Sequence, residues 1–140
     1  MKKKEAKPLD DFGGAKELAA YRISVAKEDL ADAEHSFEEK RYRNANNRAY
    51  YAIFRAISAC LALEFKAFKS HAQVIGNFNK DFIHTGKFPK GMGEKISKAQ
   101  IVRNASDYSD FYVVSLKETE EQLETARQVV ALVEAYLEKQ

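Results

Sequence analysis

The chain has 140 residues, of which 45% are hydrophobic, and a formal net charge of +2, which fits one domain of ordinary globular composition. Its single cysteine, Cys60, excludes an intramolecular disulfide and a four-cysteine zinc site and is consistent with a reducing cytosol. No apolar run approaches the roughly 18 residues of a membrane-spanning helix, and acidic residues follow the basic N-terminus where a secretory signal would be apolar. We therefore expect a cytoplasmic protein without membrane contact.

The near-neutral total conceals an uneven distribution of charge. Residues 1–39 carry 7 Lys and Arg against 10 Asp and Glu, residues 40–103 carry 13 against 3, and residues 104–140 carry 3 against 8. The three segments therefore have net charges of −3, +10 and −5. A surface of one sign attracts polyanions, although the acidic and basic helices could instead neutralise one another within the fold.

Apolar periodicity is helical along the chain after a polar N-terminal tail, residues 1–14. A first helix is predicted over about residues 15–40. Its apolar residues alternate by four and three positions and share one face: Ala19, Ile23, Ala26, Leu30, Ala33 and Phe37. The second helix has a narrow stripe of mostly alanine at the same spacing: Ala45, Ala49, Ala52, Ala56, Ala59 and Leu63. A neighbouring helix can approach such a stripe closely.

Three further helices follow. Ser70 and Gln73 have the spacing of a capping box and open a short helix, with Ile75, Phe78 and Phe82 directed inward. A fourth helix is predicted over about residues 92–106. Behind a second capping box, Ser115 to Glu118, the last helix repeats its core residues in heptad steps. They are Leu116, Thr119, Leu123, Ala126, Val130, Val133 and Leu137.

These elements, with no alternating strand pattern, predict an all-α fold over residues 15–140. The expected architecture is an antiparallel four-helix bundle with one additional short helix. The heptad seam of the last helix could face the core or a second copy of the chain, so a homodimer is also expected.

Two polar clusters lie in or beside the basic segment. In the second helix, Asn44, Arg48, Tyr51 and Arg55 fall on one stripe, with Asn47 beside it. Guanidinium donors suit phosphate and aromatic rings suit stacked bases, so the stripe is a candidate nucleotide- or RNA-binding surface. The alternative is structural, with asparagines satisfying helix ends and tyrosines filling the core.

The second cluster comprises Arg103, Asn104, Asp107 and Tyr108. If the helix persists, Arg103 and Asp107 form an i, i+4 pair, which is usually worth only about a few tenths of a kcal/mol on an exposed face. The same residues also suit a plain turn at the end of the helix. The spacing alone therefore leaves both interpretations open.

Other chemical templates are missing. His35, His71 and His84 have no partner residue at metal-ligand spacing, so they are interpreted as capping or surface residues. Residues 86–91 (GKFPKG) lack the Gly-Lys-Ser/Thr ending of a phosphate loop. Accordingly, no metal and no cofactor are expected.

Residues 43–54 (RNANNRAYYAIF), 69–71 (KSH) and 103–108 (RNASDY), followed by a long final helix, resemble the HEPN domain family. The resemblance covers about residues 18–137. It implies a small all-helical prokaryotic protein, commonly a homodimer, often encoded beside a minimal nucleotidyltransferase in a toxin–antitoxin pair. Many family members are metal-independent ribonucleases that use an arginine, an adjacent polar residue and a histidine a few residues further on.

Arg103 and Asn104 match the first two of these residues, and Tyr108 stands near the place of the histidine. A phenol with its ordinary pKa of about 10 is a poor general base at neutral pH. We therefore expect a non-catalytic module of a toxin–antitoxin pair that binds nucleotide, RNA or a partner nucleotidyltransferase. The alternative is a ribonuclease toxin acting through Arg103, with Tyr108 in place of the histidine and Asn104 and Asp107 polarising the site.

Overall fold

The described part of the chain folds entirely as helices and their connections. The computed structural model describes residues 14–66, 68–108 and 113–140, and for residues 107 and 108 it describes only the backbone. The five α-helices are α1 (Gly14–Glu38), α2 (Tyr42–Leu63), α3 (His71–Phe78), α4 (Lys90–Tyr108) and α5 (Leu116–Glu138). A π-helical turn, Asn79–Ile83, follows α3 directly. The predicted all-α bundle with one short additional helix is confirmed.

The boundaries agree with the predicted ones to within about two residues. The predicted N-terminal tail lies outside the described residues except for Gly14, which begins α1. None of the described helices combines the length and the apolar content that crossing a membrane requires.

Helices α1 and α2 make the most extensive contact in the bundle. The chain reverses between them within three residues, where Lys40 adopts a left-handed φ of 63° and the Arg41 amide donates to the Ser36 carbonyl at 2.8 Å. Their facing residues are small and fully or almost fully buried: Ala19, Ala26 and Ala33 of α1, and Ala45, Ala49, Ala52, Ala56 and Ala59 of α2. Small side chains let the two helices approach closely, as the sequence predicts.

Helix α5 packs mainly against α2 and also against α1. The Ser115 hydroxyl accepts from the Glu118 amide, and the Glu118 carboxylate accepts from the Ser115 amide, which confirms the predicted capping box. The heptad seam behind it is buried within the chain, apart from Leu116, which is 48% exposed, and Leu137, which is partly buried. The seam therefore faces the core of its own chain, not a second copy.

Helix α3 packs against α2. The Ser70 hydroxyl accepts from the Gln73 amide at 3.1 Å, but the Gln73 side chain accepts from the amide of Lys69 instead of that of Ser70. The predicted capping box is therefore wrong in its second half. The cap nevertheless starts α3 at His71, and this start is what brings His71 to the side of α2.

Candidate functional site

Tyr51 of α2 is surrounded by three arginines. The guanidinium carbons of Arg48, Arg55 and Arg103 lie over its ring, at 5.1, 5.6 and 5.2 Å from the ring centre. Arg48 and Arg55 share a face of α2, whereas Arg103 comes from the last turns of α4 and donates from Nη2 to the Tyr51 hydroxyl at 2.9 Å. Residues from both polar clusters of the sequence therefore meet at one place. We call these three arginines with Tyr51 the arginine cluster.

Asp29 of α1 orients two of these arginines. Its Oδ1 accepts from Arg48 Nη1 at 3.1 Å and its Oδ2 accepts from Arg55 Nε at 2.8 Å. The Asp29 residue is only 5% exposed, whereas the two arginine side chains are 31% and 42% exposed. A buried carboxylate needs charged partners, so Asp29 anchors both guanidiniums from the core side while they remain accessible to a ligand.

An imidazole borders the same part of α2. Nδ1 of His71 lies 2.8 Å from the hydroxyl oxygen of the buried Tyr50, and the imidazole ring stacks on Phe54 with the ring centres 4.0 Å apart. The Arg103 guanidinium lies over the Tyr50 ring, at 5.1 Å from its centre, as well as over that of Tyr51. His71 and Arg103 therefore flank one pair of tyrosines.

The interpretation of His71 as a capping or surface residue is wrong. Ser70 is the cap of α3, and His71 is partly buried in an aromatic cluster with Tyr50, Tyr51 and Phe54. No spacing rule links this histidine to Arg103, because the two lie on different helices. The signal in the sequence was its place in the KSH segment of the family resemblance.

The surroundings of His71 favour its neutral form. Burial lowers the pKa of the imidazole below its ordinary value, and the positive charges of Arg103 and Arg55 lower this pKa further. The first turn of α3 acts in the same direction, because the positive end of a helix dipole disfavours a cation. All three effects therefore favour the neutral imidazole as the form of His71 at neutral pH.

Two predicted asparagines border the arginine cluster. The Asn47 side-chain oxygen accepts from Arg48 Nη2 at 3.2 Å, and the Asn104 side-chain oxygen lies 3.5 Å from Arg103 Nη1. Each asparagine is the sequence neighbour of the arginine that it contacts. Asn47 therefore helps to hold Arg48 in place, whereas the longer contact of Asn104 with Arg103 is weak.

Of the other predicted site residues, one lies away from the arginine cluster, and two have side chains outside the described part of the structure. Asn44 donates from its side chain to the Ser36 hydroxyl at 2.7 Å, which uses it at the α1–α2 turn. The backbone of Asp107 and Tyr108 belongs to the end of α4, but their side chains lie outside the described part of the structure. Their predicted roles stay predictions.

The cluster is suited to binding phosphate. Guanidinium groups form charge-assisted, paired hydrogen bonds to phosphate oxygens, and here three of them lie within about 6 Å of one ring centre. The same geometry adds to the predicted role of Tyr51. Because three guanidiniums lie against its ring, Tyr51 is a common contact for the arginines in addition to a ring on which a base could stack.

Replacing Asp29 by asparagine should lower the free energy of unfolding by about 1–3 kcal/mol, because Arg48 and Arg55 lose their buried counter-ion. Chemical denaturation followed by circular dichroism measures this change. The matched control is Asp32→Asn on the exposed face of α1, for which we expect less than about 0.5 kcal/mol. Equal losses in the two variants would contradict the anchoring role of Asp29.

Replacing Arg103 by glutamine should raise the pKa of His71 toward its ordinary value, since one of two nearby cations is removed. NMR titration of the imidazole measures this. The folded protein binds a proton at His71 less readily than the unfolded chain does, so acidification below about pH 6.5 lowers the free energy of unfolding. This loss of stability should be smaller in the Arg103 variant than in the unaltered protein. Arg127→Gln, whose guanidinium pairs with Glu34 and Glu124, is the control. An unchanged His71 pKa in the Arg103 variant would place the two groups too far apart to interact.

Comparison with known proteins identifies relatives along most of the bundle. A Methanocaldococcus jannaschii protein named "Putative toxin MJ0605" is 38% identical over 103 residues, which are 74% of this chain and 73% of that protein. A second protein of that organism, "Putative toxin MJ0142", is 29% identical over 98 residues, 70% of this chain and 67% of that protein. A Thermotoga maritima protein named "UPF0332 protein" is 35% identical over 85 residues. That match spans 61% of this chain and 64% of the Thermotoga protein, so the chain covers less than two thirds of that relative's length.

The match to a family model covers nearly the whole fold. The model described as "HEPN domain" matches residues 19–136, which begin in the first turns of α1 and end in the last turns of α5. The matched range includes every residue of the arginine cluster. The chain therefore belongs to the HEPN domain family.

Proposed function

We propose that this HEPN protein is the toxin-type member of a toxin–antitoxin pair and that its arginine cluster binds phosphate groups of RNA or of a nucleotide. The toxin names of two relatives support the first part. The observation that carries the second part is the convergence of Arg48, Arg55 and Arg103 on Tyr51 from two helices. Guanidiniums held this close favour an anion placed against them. Binding is the function that this geometry supports best.

A groove at the start of α2 extends the cationic surface. It is open and is lined by Arg41, Tyr42, Arg43, Asn44 and Asn47. Arg41 and Arg43 are both exposed. The groove lies on the same helix as Arg48 and one to two turns before it, so successive phosphates of one strand could contact both places. This favours a ligand with several phosphates over a single nucleotide.

Part of the basic segment is neutralised within the fold. Asp29 of the first segment pairs with Arg48 and Arg55, and Glu121 of the last segment pairs with Lys98. Other cations of this segment have no carboxylate partner among the described residues, including Lys69, Lys80 and Lys90. Both interpretations of the uneven charge therefore apply, and enough positive surface is left for a polyanion.

Cleavage of bound RNA is a second candidate function at the same site. The resemblance implies it through Arg103, with Asn104 and Asp107 around it and Tyr108 in place of the usual histidine. The observation that favours cleavage is that the His71 imidazole and the Arg103 guanidinium contact the same tyrosine, Tyr50. Burial and the nearby arginines lower the pKa of this imidazole, which favours its neutral form. An imidazole of this kind is a far better proton acceptor at neutral pH than a phenol.

We also propose two protein partners, a minimal nucleotidyltransferase and a second copy of the chain. The family resemblance implies both. Large apolar side chains near the end of α4 and the start of α5 supply a surface for one of them. Ile101 is 67% exposed, Val113 is 85% exposed and Leu116 is 48% exposed. Isolated apolar side chains are common on surfaces, so this feature supports the proposal only together with the family.

Three single variants, Arg48→Gln, Arg55→Gln and Arg103→Gln, should each bind single-stranded RNA about 10–100-fold more weakly, because each loses a charge-assisted contact to phosphate. Fluorescence anisotropy with labelled RNA at several salt concentrations measures this, and the salt dependence should become shallower. Arg127→Gln is the matched control and should bind as the unaltered protein does. Equal affinity of all four variants would exclude the arginine cluster as the binding site.

Co-expression with the product of the neighbouring gene should give a complex that elutes as one species on size-exclusion chromatography. The expected partner is a nucleotidyltransferase, and the mass of the complex, measured by light scattering, also shows whether two copies of this chain are present. If the chain elutes without the neighbouring gene product and its mass by light scattering is that of a monomer, both proposed partners are contradicted.

A further inference from the structure

The imidazole of His71 and the guanidinium of Arg103 approach the same pair of tyrosines from different helices. We propose that His71 is the group that accepts the proton when an RNA strand is cleaved at the arginine cluster. The proposal rests on the phosphate-binding function proposed above, because it needs the scissile phosphate to lie against Arg103. It assigns the proton transfer to α3, outside the motif at the end of α4.

Contacts on two sides hold the His71 ring in place. The buried Tyr50 hydroxyl lies 2.8 Å from Nδ1, and Phe54 stacks on the ring face with the ring centres 4.0 Å apart. Nε2 is then the ring nitrogen left to meet a ligand, and among the described residues it has no hydrogen-bond partner. When Nδ1 carries the hydrogen and donates to Tyr50, Nε2 carries the lone pair that a base requires.

The charges around His71 keep that lone pair available. The groups of α2 and α4 that act on it, Arg55 and Arg103, are both cations and both oppose protonation of the ring, as does its burial. The same arginines can stabilise the negative charge that develops on a phosphate during the reaction. A neutral base and a cationic clamp therefore lie beside each other.

The reaction is a transesterification that needs no metal and no oxidant. Nε2 of His71 takes the proton of a ribose 2′-hydroxyl while the 2′-oxygen forms a bond to the adjacent phosphorus. The bond from phosphorus to the 5′-oxygen breaks, and that oxygen takes a proton from water. The imidazolium then returns its proton to the hydroxide that is left. The products are a 2′,3′-cyclic phosphate and a 5′-hydroxyl, and RNA with an intact 2′-hydroxyl is the only class of nucleic acid that can react.

Tyr50 is a positioning residue in this arrangement. It acts on the reaction through Nδ1 of His71, because its side chain is almost fully buried. Tyr50→Phe keeps the aromatic packing and removes the hydroxyl, so it should slow cleavage and leave RNA binding unchanged. A merely structural role of the hydroxyl would change stability and not the rate of the folded protein.

The test compares binding and cleavage of short single-stranded RNA of random sequence, in a metal chelator, by the full chain and its variants. His71→Asn can keep the contact to Tyr50 with its side-chain amide but cannot accept a proton at neutral pH. We expect it to bind RNA within about twofold of the unaltered protein and to cleave it about 10²–10⁴-fold more slowly. Added imidazole should restore part of the cleavage by His71→Ala. His35→Asn and His84→Asn, at exposed positions, are the matched controls and should cleave normally.

The outcomes separate this proposal from the one on which it rests. Cleavage that ends in a 2′,3′-cyclic phosphate, that is absent with 2′-deoxy substrate and that depends on His71 supports it. An unaltered protein that binds RNA and does not cleave it overturns the role of His71 and leaves the binding function standing. Cleavage at the same rate in His71→Asn overturns it as well. A protein that binds no RNA overturns both proposals. If His71→Asn does not fold, two other measurements test the role of His71: rescue of His71→Ala by imidazole and the cleavage rate of Tyr50→Phe. No rescue together with an unchanged rate overturns the proposal.

Discussion

The close contact between α1 and α2 is the constraint on which the candidate site depends. Alanines on both helices bring the two backbones together, and this lets the short side chain of Asp29 reach Arg48 and Arg55 on the next helix. A larger residue in the contact would force the helices apart and separate these groups. In turn, the buried Asp29 would be unfavourable without its two partners. The small-residue contact and the ion pairs therefore stabilise each other.

The pair Tyr50 and Tyr51 connects this helix pair to the rest of the bundle. The two residues are neighbours in α2, but Tyr50 is buried and meets His71 of α3, whereas Tyr51 lies on the partly exposed stripe. Arg103 of α4 contacts both rings. Three helices thus meet at two adjacent residues. A phosphate bound there would contact side chains from more than one helix, which places each of them more rigidly than a loop would.

Membership of the HEPN family and the details of this site provide different kinds of information. The family match shows a HEPN protein, and two of its relatives carry toxin names. They leave the chemistry open, since this chain has tyrosine near the place where a histidine is common. A site is defined by groups that come together in space. Here the imidazole of His71 on α3 and the guanidinium of Arg103 on α4 contact the same tyrosine, Tyr50. This geometry adds an imidazole that the linear motif lacks.

The amino-acid sequence by itself determined the helices, the small-residue stripe of α2 and the alignment of Arg48 with Tyr51, because helical periodicity is local and can be read from spacing. The sequence predicts the wrong donor to the Gln73 side chain, because the amides of Ser70 and Lys69 lie three and four residues before it and spacing does not separate them. Only the tertiary structure decided that Arg103 joins Tyr51, across 52 positions of the chain, and that His71 lies beside them. Contacts of this kind depend on how helices pack around a common core, and no spacing in the sequence encodes that packing.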